Sequence, residues 1–191
     1  SDFQFQILKS DFSGTDFQLK TPRGAHTLSI SLVGRHNVYN SVAALASGVA
    51  AGASVEPAAR GLANFRGVPG RLERVQNSLD VNVFVDYAHT DDALRTVLTA
   101  LQEIRERSKR RNKIIVVFGC GGDRDKGKRP LMAKAAIEGA DLVVITSDNP
   151  RTEDPVQIIQ DISVCIPRSE INKSVFIEVD RKDAIRSALG M

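Results

Sequence analysis

Period-two alternation of apolar and polar side chains opens the chain. Residues 3–8, 16–21 and 26–33 all show it, most clearly in Leu28-Ser29-Ile30-Ser31-Leu32. A period of two belongs to a strand with one wet face. Ser13-Gly14 and Pro22-Arg23-Gly24 punctuate the runs, so the pattern predicts a small antiparallel meander. A helical period follows over 41–53, a segment rich in alanine that ends near Gly52, and again from Glu56-Pro57 to about Phe65. Gly48 and Gly52 predict close packing between helices, in water rather than in a bilayer, because polar residues flank them.

The pattern changes again after Gly67-Val68-Pro69-Gly70-Arg71-Leu72-Glu73, which has the composition of a linker. Apolar strands over 81–85, 113–118, 142–146 and 174–179 alternate with helices over 91–107, 130–138, 155–163 and 181–189. Four β-α units whose strands are apolar on both faces predict a parallel sheet covered on two sides. A domain boundary is expected near residue 68.

In such a sheet ligands gather beyond the carboxyl ends of the strands. Four segments are expected there: Asp86-Tyr87-Ala88-His89-Thr90, the stretch from Val117 to Pro130, Ser147-Asp148-Asn149-Pro150-Arg151, and Asp180. The second breaks from an apolar strand into Gly119-Cys120-Gly121-Gly122, then carries four cations and two anions between Asp123 and Arg129. A positive, glycine-rich loop ahead of a helix start favours an anion. Its Gly122 to Lys128 spacing imitates a phosphate-binding P-loop, but Arg129 stands where Ser or Thr would be needed on magnesium, and Pro130 removes an amide donor. The spacing is therefore a coincidence. In the third segment Arg151 can grip a carboxylate through two parallel hydrogen bonds, and Asp148 and Asn149 can accept from an ammonium group. With Arg124 on the adjacent loop, the set complements an amino acid carrying more than one carboxylate. Earlier in the chain Asn37 and Asn40, three apart, can share one helix face. There they can cap the helix or recognise a purine edge.

Composition narrows the choice of function only slightly. The 191 residues are 42% hydrophobic and 26% charged, as expected of a globular protein, and a net charge of +3 does not imply a nucleic-acid or membrane partner. Arg105, Arg107, Lys109, Arg110, Arg111 and Lys113 lack interleaved aromatics and fit a solvated helix end. No run is long enough to span a bilayer, and the first residues lack a signal-peptide profile. Cys120 and Cys165, the two cysteines, cannot form a disulfide framework or a metal cluster. Free thiols, a cytoplasmic location and a monomer are expected.

Gly34-Arg35-His36-Asn37-Val38-Tyr39-Asn40, Pro69-Gly70-Arg71-Leu72-Glu73, Asp86-Tyr87-Ala88-His89-Thr90, the long glycine loop and Asp148-Asn149-Pro150-Arg151 occur in this order in the Mur ligases. The chain resembles that family along essentially its whole length, and in particular the branch that adds meso-diaminopimelate. The resemblance implies an α/β chain in two parts. Residues 1–68 would be the C-terminal part of a central ATP-binding domain. Residues 69–191 would be a Rossmann-like, amino-acid-binding C-terminal domain, incomplete at its end. It also implies an ATP- and Mg2+-dependent ligase. ATP would phosphorylate the D-glutamate γ-carboxylate of UDP-MurNAc-L-Ala-D-Glu, and the amine of meso-diaminopimelate would displace phosphate. By this resemblance Asn37, Asn40, Arg71 and Asp86 lie around the nucleotide, while Arg124, Asp148, Asn149, Pro150 and Arg151 hold meso-diaminopimelate. Relatives that add lysine typically replace the arginine of the last motif, so Arg151 favours the diacid. The family's UDP-binding domain, P-loop, metal ligands and modified lysine fall upstream of these residues, and a Gly-Lys-Gly-His-Glu segment falls downstream. A fragment with no catalytic residue or metal site of its own, inactive alone, is expected. A binding module for an amino acid or nucleotide, without catalysis, is the alternative.

Overall fold

The computed structural model describes residues 3–22, 24–108 and 112–191. Of the basic run, Lys109, Arg110 and Arg111 lie outside the described residues, and so does Arg23. By compactness the chain forms two units. One comprises the residues up to Tyr87 together with 103–108, and the other Ala88–Gln102 with the residues from 112 onward.

In the first unit, β1 (Gln4–Asp11), β2 (Gly14–Thr21) and β3 (Gly24–Ile30) make the expected antiparallel meander in the order β1-β2-β3. Its alternation is physical. Phe17, Leu19, Leu28 and Ile30 are buried, whereas Gln18, Lys20, Thr27 and Ser29 are not. The buried face packs on Val38 and Leu45 of α1 (Arg35–Ala50) and Val55 of α2 (Val55–Asn64). Helix α1 starts six residues ahead of the expected position, directly after Gly34, so Asn37 and Asn40 lie inside it. The close helix packing expected at Gly48 and Gly52 is absent. A Cβ at either position would meet nothing within 4 Å. Gly52, at φ 99°, instead serves the left-handed turn that ends the helix.

The segment expected as a linker is a built turn. Leu72 is buried at φ 45°, its amide donates to Asp86 Oδ2 at 2.7 Å, and β4 (Glu73–Val75) begins next to it. The strand expected over 81–85 is also corrected. Only β5 (Val83–Val85) is extended, and it pairs antiparallel with β4 rather than joining the parallel sheet. Two local contacts favour that pairing: the Asp86 bond to Leu72, and Phe84 packed 6.0 Å from Phe12 between ring centroids.

The second unit is built on a parallel sheet of β6 (Ile115–Phe118), β7 (Leu142–Ile145) and β8 (Val175–Ile177), in that order. Val143, Val144 and Ile145 of the central strand are at most 2% exposed, and each such side chain contributes roughly 1.5–3 kcal/mol through burial. Leu94 and Leu98 of α3 (Asp91–Ser108) join the same core. So do Met132, Ala133 and Ala136 of α4 (Lys128–Gly139), and Ile158, Ile159 and Ile162 of α5 (Pro155–Ser163). Asp154 caps α5 by accepting from the Val156 amide, with Pro155 at the first helical position. Helix α6 (Arg181–Leu189) buries Ala184 and packs against β6 and β7. With β5 outside this sheet, three loops rather than four leave its carboxyl edge.

Candidate functional site

Two of those three loops are locked together. A Cβ on Gly119 would lie 2.2 Å from the Thr146 carbonyl oxygen, and one on Gly122 would lie 1.8 Å from that of Pro150. Only glycine permits this approach. The glycines are thus spent on the neighbouring loop, not on a ligand. The Gly122 amide donates to the Asn149 carbonyl at 2.8 Å, and Arg151, at φ 51°, donates from Nη1 to the Gly122 carbonyl. The amides of Asp123, Gly127 and Arg129 are bonded to Glu153 Oε1, Asp125 Oδ1 and the Lys126 carbonyl. Amides already engaged cannot cradle a phosphate, which supplies a structural reason for rejecting the P-loop spacing.

The Arg151 guanidinium and the Cγ of Arg124 both lie beside Gly121. The point a Gly121 Cβ would occupy is 2.8 Å from Arg151 Nη1 and 3.8 Å from Arg124 Cγ. Arg124 is exposed and has no hydrogen-bond partner among the described residues. Asp148 is half exposed and lies 4.0 Å from Arg181 Nη1, an ion pair in water that contributes little and exchanges readily. The Asn149 side chain is exposed too. Pro150 contributes backbone: its carbonyl accepts from the Glu153 amide at 3.0 Å. The loop set therefore offers two guanidinium groups, a carboxylate and an amide on one edge. Asp180, expected beside them, caps α6 by accepting from the Asp183 amide.

Residues passed over in the sequence hold this edge in place. Arg129 is fully buried and donates to both oxygens of Glu153 at 2.8 and 3.0 Å, and to Asp161 Oδ2 at 2.7 Å. Its Nη2 also reaches the Gly121 carbonyl at 3.4 Å, while Nε is buried without a partner among the described residues. The Arg129 guanidinium, helped by the Asp123 amide, holds the Glu153 carboxyl down at about 2. Asp161 is lowered by Gln157 and then by Arg129. Burial pushes the Cys120 thiol up to about 11, so it is no nucleophile at neutral pH.

The first unit groups the other expected residues in two clusters. Asn37 Nδ2 donates to the Val33 carbonyl at 2.8 Å, and Asn40 Nδ2 approaches Asn37 Oδ1 at 3.4 Å. This is an arrangement of linked amides, not an N-cap, because Gly34 occupies that position. Asn40 is exposed. In the second cluster the Arg71 guanidinium stacks on the Tyr87 ring at 4.7 Å, and Asp86 fixes the turn carrying Arg71. Burial lowers the His36 pKa, against an opposing pull from Asp86. Its place in the sequence, next to Asn37, was the available signal. Among the described residues no three His, Cys, Asp or Glu side chains converge as metal ligands.

Sheet and loops together define the second unit as an α/β domain built on a three-stranded parallel sheet. Residues 70–191 match the family described as Mur ligase, glutamate ligase domain, and the chain belongs to that family. It is 46% identical over 189 residues to the UDP-N-acetylmuramoyl-L-alanyl-D-glutamate--2,6-diaminopimelate ligase of Solibacter usitatus, covering 99% of this chain and 37% of that protein. It is 45% identical over 190 residues to the enzyme of the same name from Geobacillus kaustophilus, again over 37% of that protein. A solved structure of a ligase of that name superposes with a TM-score of 0.66 at 38% identity, over 98% of this chain and 37% of the other. A folylpolyglutamate synthase from Thermotoga maritima, at 19% identity and a TM-score of 0.75 over 98% of this chain and 42% of the other, shares the fold. The chain thus spans just over a third of the length of the curated relatives it matches.

Proposed function

We propose that this chain is the amino-acid-selecting part, with a portion of the nucleotide site, of an ATP-dependent ligase. The enzyme joins meso-diaminopimelate to UDP-MurNAc-L-Ala-D-Glu in peptidoglycan synthesis. The observation that carries the reading is the placement of Arg124 and Arg151 on adjacent interlocked loops at the sheet's carboxyl edge, with the Arg151 guanidinium and the Arg124 Cγ both beside Gly121. Two guanidinium groups on rigid loops suit a substrate with two carboxylates, and Asp148 and Asn149 supply acceptors for its ammonium group. The names of the relatives point to the same substrate. A domain boundary at residues 68 and 69 accords with a family match that begins at residue 70.

The chemistry such an enzyme must perform is amide formation from a carboxylate. Phosphorylation by ATP turns the carboxylate into an acyl phosphate, the amine attacks its carbonyl carbon, and phosphate leaves with the C–O bond electrons. These residues contribute positioning, which converts a bimolecular attack into an effectively unimolecular one. Asn37, Asn40, Arg71 and Asp86 are assigned to ATP, the amides towards the purine and Arg71 towards its anionic portion. Mg2+ is assigned no ligand among these residues. No helix among the described residues is long and apolar enough to cross a membrane, and a cytoplasmic monomer is proposed.

The test is phosphate release by the complete protein with ATP, the UDP-linked dipeptide, and either meso-diaminopimelate or lysine. Turnover with the diacid and little with lysine is expected. Equal use of lysine would sink the assignment of Arg124 and Arg151.

A further inference from the structure

We propose that Glu153 and Arg129 are positioning residues that set the separation of Arg124 and Arg151, and thereby the selection of the amino-acid substrate. The inference rests on the proposed function of those two arginines. Glu153 lies between the backbones that carry them. Its Oε1 accepts the amide of Asp123, the residue before Arg124, at 2.6 Å. Its own amide donates to the Pro150 carbonyl at 3.0 Å, closing the turn that contains Arg151. Asp123 returns the contact, since its carboxylate accepts from Thr152 Oγ1 at 2.7 Å and from the Thr152 amide at 3.3 Å. Each arginine therefore has a neighbour in sequence bonded to the opposite loop.

Backbone conformation fits this clasp. Asp123 and Arg151 both sit at φ 51°, a left-handed conformation uncommon for non-glycine residues and costly for arginine. Arg129 fixes the Glu153 carboxylate through two parallel bonds and is itself anchored on Asp161 of α5. A buried guanidinium with two carboxylates is no more stabilising than an apolar cluster of equal volume. Its advantage is directional. It holds one carboxylate in one place, at the root of both loops. Lys126, 3.3 Å from Glu153 and exposed, adds charge without fixing direction.

The experiment compares wild type, Glu153→Gln and Thr152→Val in the complete protein, with KM measured separately for meso-diaminopimelate and ATP. Glu153→Gln keeps an acceptor for Asp123 but loses the paired charge. Thr152→Val removes one exposed hydroxyl donor and leaves the buried ions intact, so it guards against a folding failure. The expected result is a rise of about tenfold in the diaminopimelate KM for Glu153→Gln and a smaller rise for Thr152→Val. The ATP KM should stay within about twofold in both. Parallel changes in both KM values, or unchanged values with only a lower Tm, would overturn the inference while leaving the proposed function intact. Failure of wild type to use meso-diaminopimelate would overturn the proposed function, and this inference with it.

Discussion

The Pro150 carbonyl oxygen occupies the space in which Gly122 would carry a side chain, 1.8 Å from the missing Cβ. Backbone against backbone cannot be relieved by a rotamer change, so the two loops must part if Gly122 gains a methyl group. Gly122→Ala is expected to lower stability by about 1–3 kcal/mol, the usual cost of overpacking. Gly48→Ala is the control. It adds a methyl group in open space inside α1, and should stabilise by roughly 0.5–1 kcal/mol. Urea unfolding of both variants checks the pair. Equal effects at the two positions would contradict the interlocked loops.

The two cysteines should differ in reactivity. Cys120 is held near 11 by burial and rests 3.7 Å from the Met132 sulfur, whereas Cys165 is exposed and donates to the Pro130 carbonyl. Reaction with a chromogenic disulfide at pH 8 should titrate one thiol quickly. The second should appear at least tenfold more slowly, because thiolate, not thiol, is the nucleophile. Cys165→Ser should abolish the fast phase. Fast reaction in that variant would mean that Cys120 is accessible and ionised.

Patterns confined to one element were legible in the sequence, and patterns that needed a distant partner were not. Alternation in 26–33 located β3, and the helical segment expected over 155–163 coincides with α5, because each signal lies within its own element. Val83-Phe84-Val85 suits either kind of sheet, and Phe12 and Leu72, far back in the chain, decide its pairing. The glycines at 119 and 122 were legible as a demand for close approach, but not as an approach by Thr146 and Pro150. Arg129 drew notice in the sequence only as the wrong residue for a P-loop. Its partners Glu153 and Asp161 are 24 and 32 residues away, so no local spacing could announce a buried ion cluster.

The clasp carries a pH dependence of definite sign. Glu153 is lowered from 4.5 to about 2, first by the Arg129 guanidinium and then by the Asp123 amide. A depressed carboxyl stabilises the folded state fully above its unfolded pKa, and that contribution is lost as pH falls through the folded value. Wild type should therefore lose its Tm advantage over Glu153→Gln progressively between about pH 4.5 and pH 2. Thermal melts of both proteins across that range supply the measurement. An advantage that stays constant down to pH 2 would show that Glu153 is not the group titrating.

Arg124 and Arg151 should fail differently when removed, because only one of them also holds the loops. Arg124 is exposed with no partner among the described residues, so Arg124→Ala should leave Tm unchanged. It should raise the meso-diaminopimelate KM by about 10–100-fold, the range for losing a charge-assisted bidentate contact. Arg151 donates to the Gly122 carbonyl and lies within 2.8 Å of the Gly121 Cβ position. Arg151→Ala should therefore raise the same KM and also lower Tm, since it leaves a carbonyl of the locked loop without its donor. Arg151→Lys keeps the charge but not the planar fork, and should restore Tm better than it restores KM. Steady-state kinetics with meso-diaminopimelate and lysine, alongside melts of the three variants, separates the two roles. Unchanged diaminopimelate turnover in Arg124→Ala would remove Arg124 from the substrate site, and an unchanged KM in Arg151→Ala would leave Arg151 as a loop fastener alone.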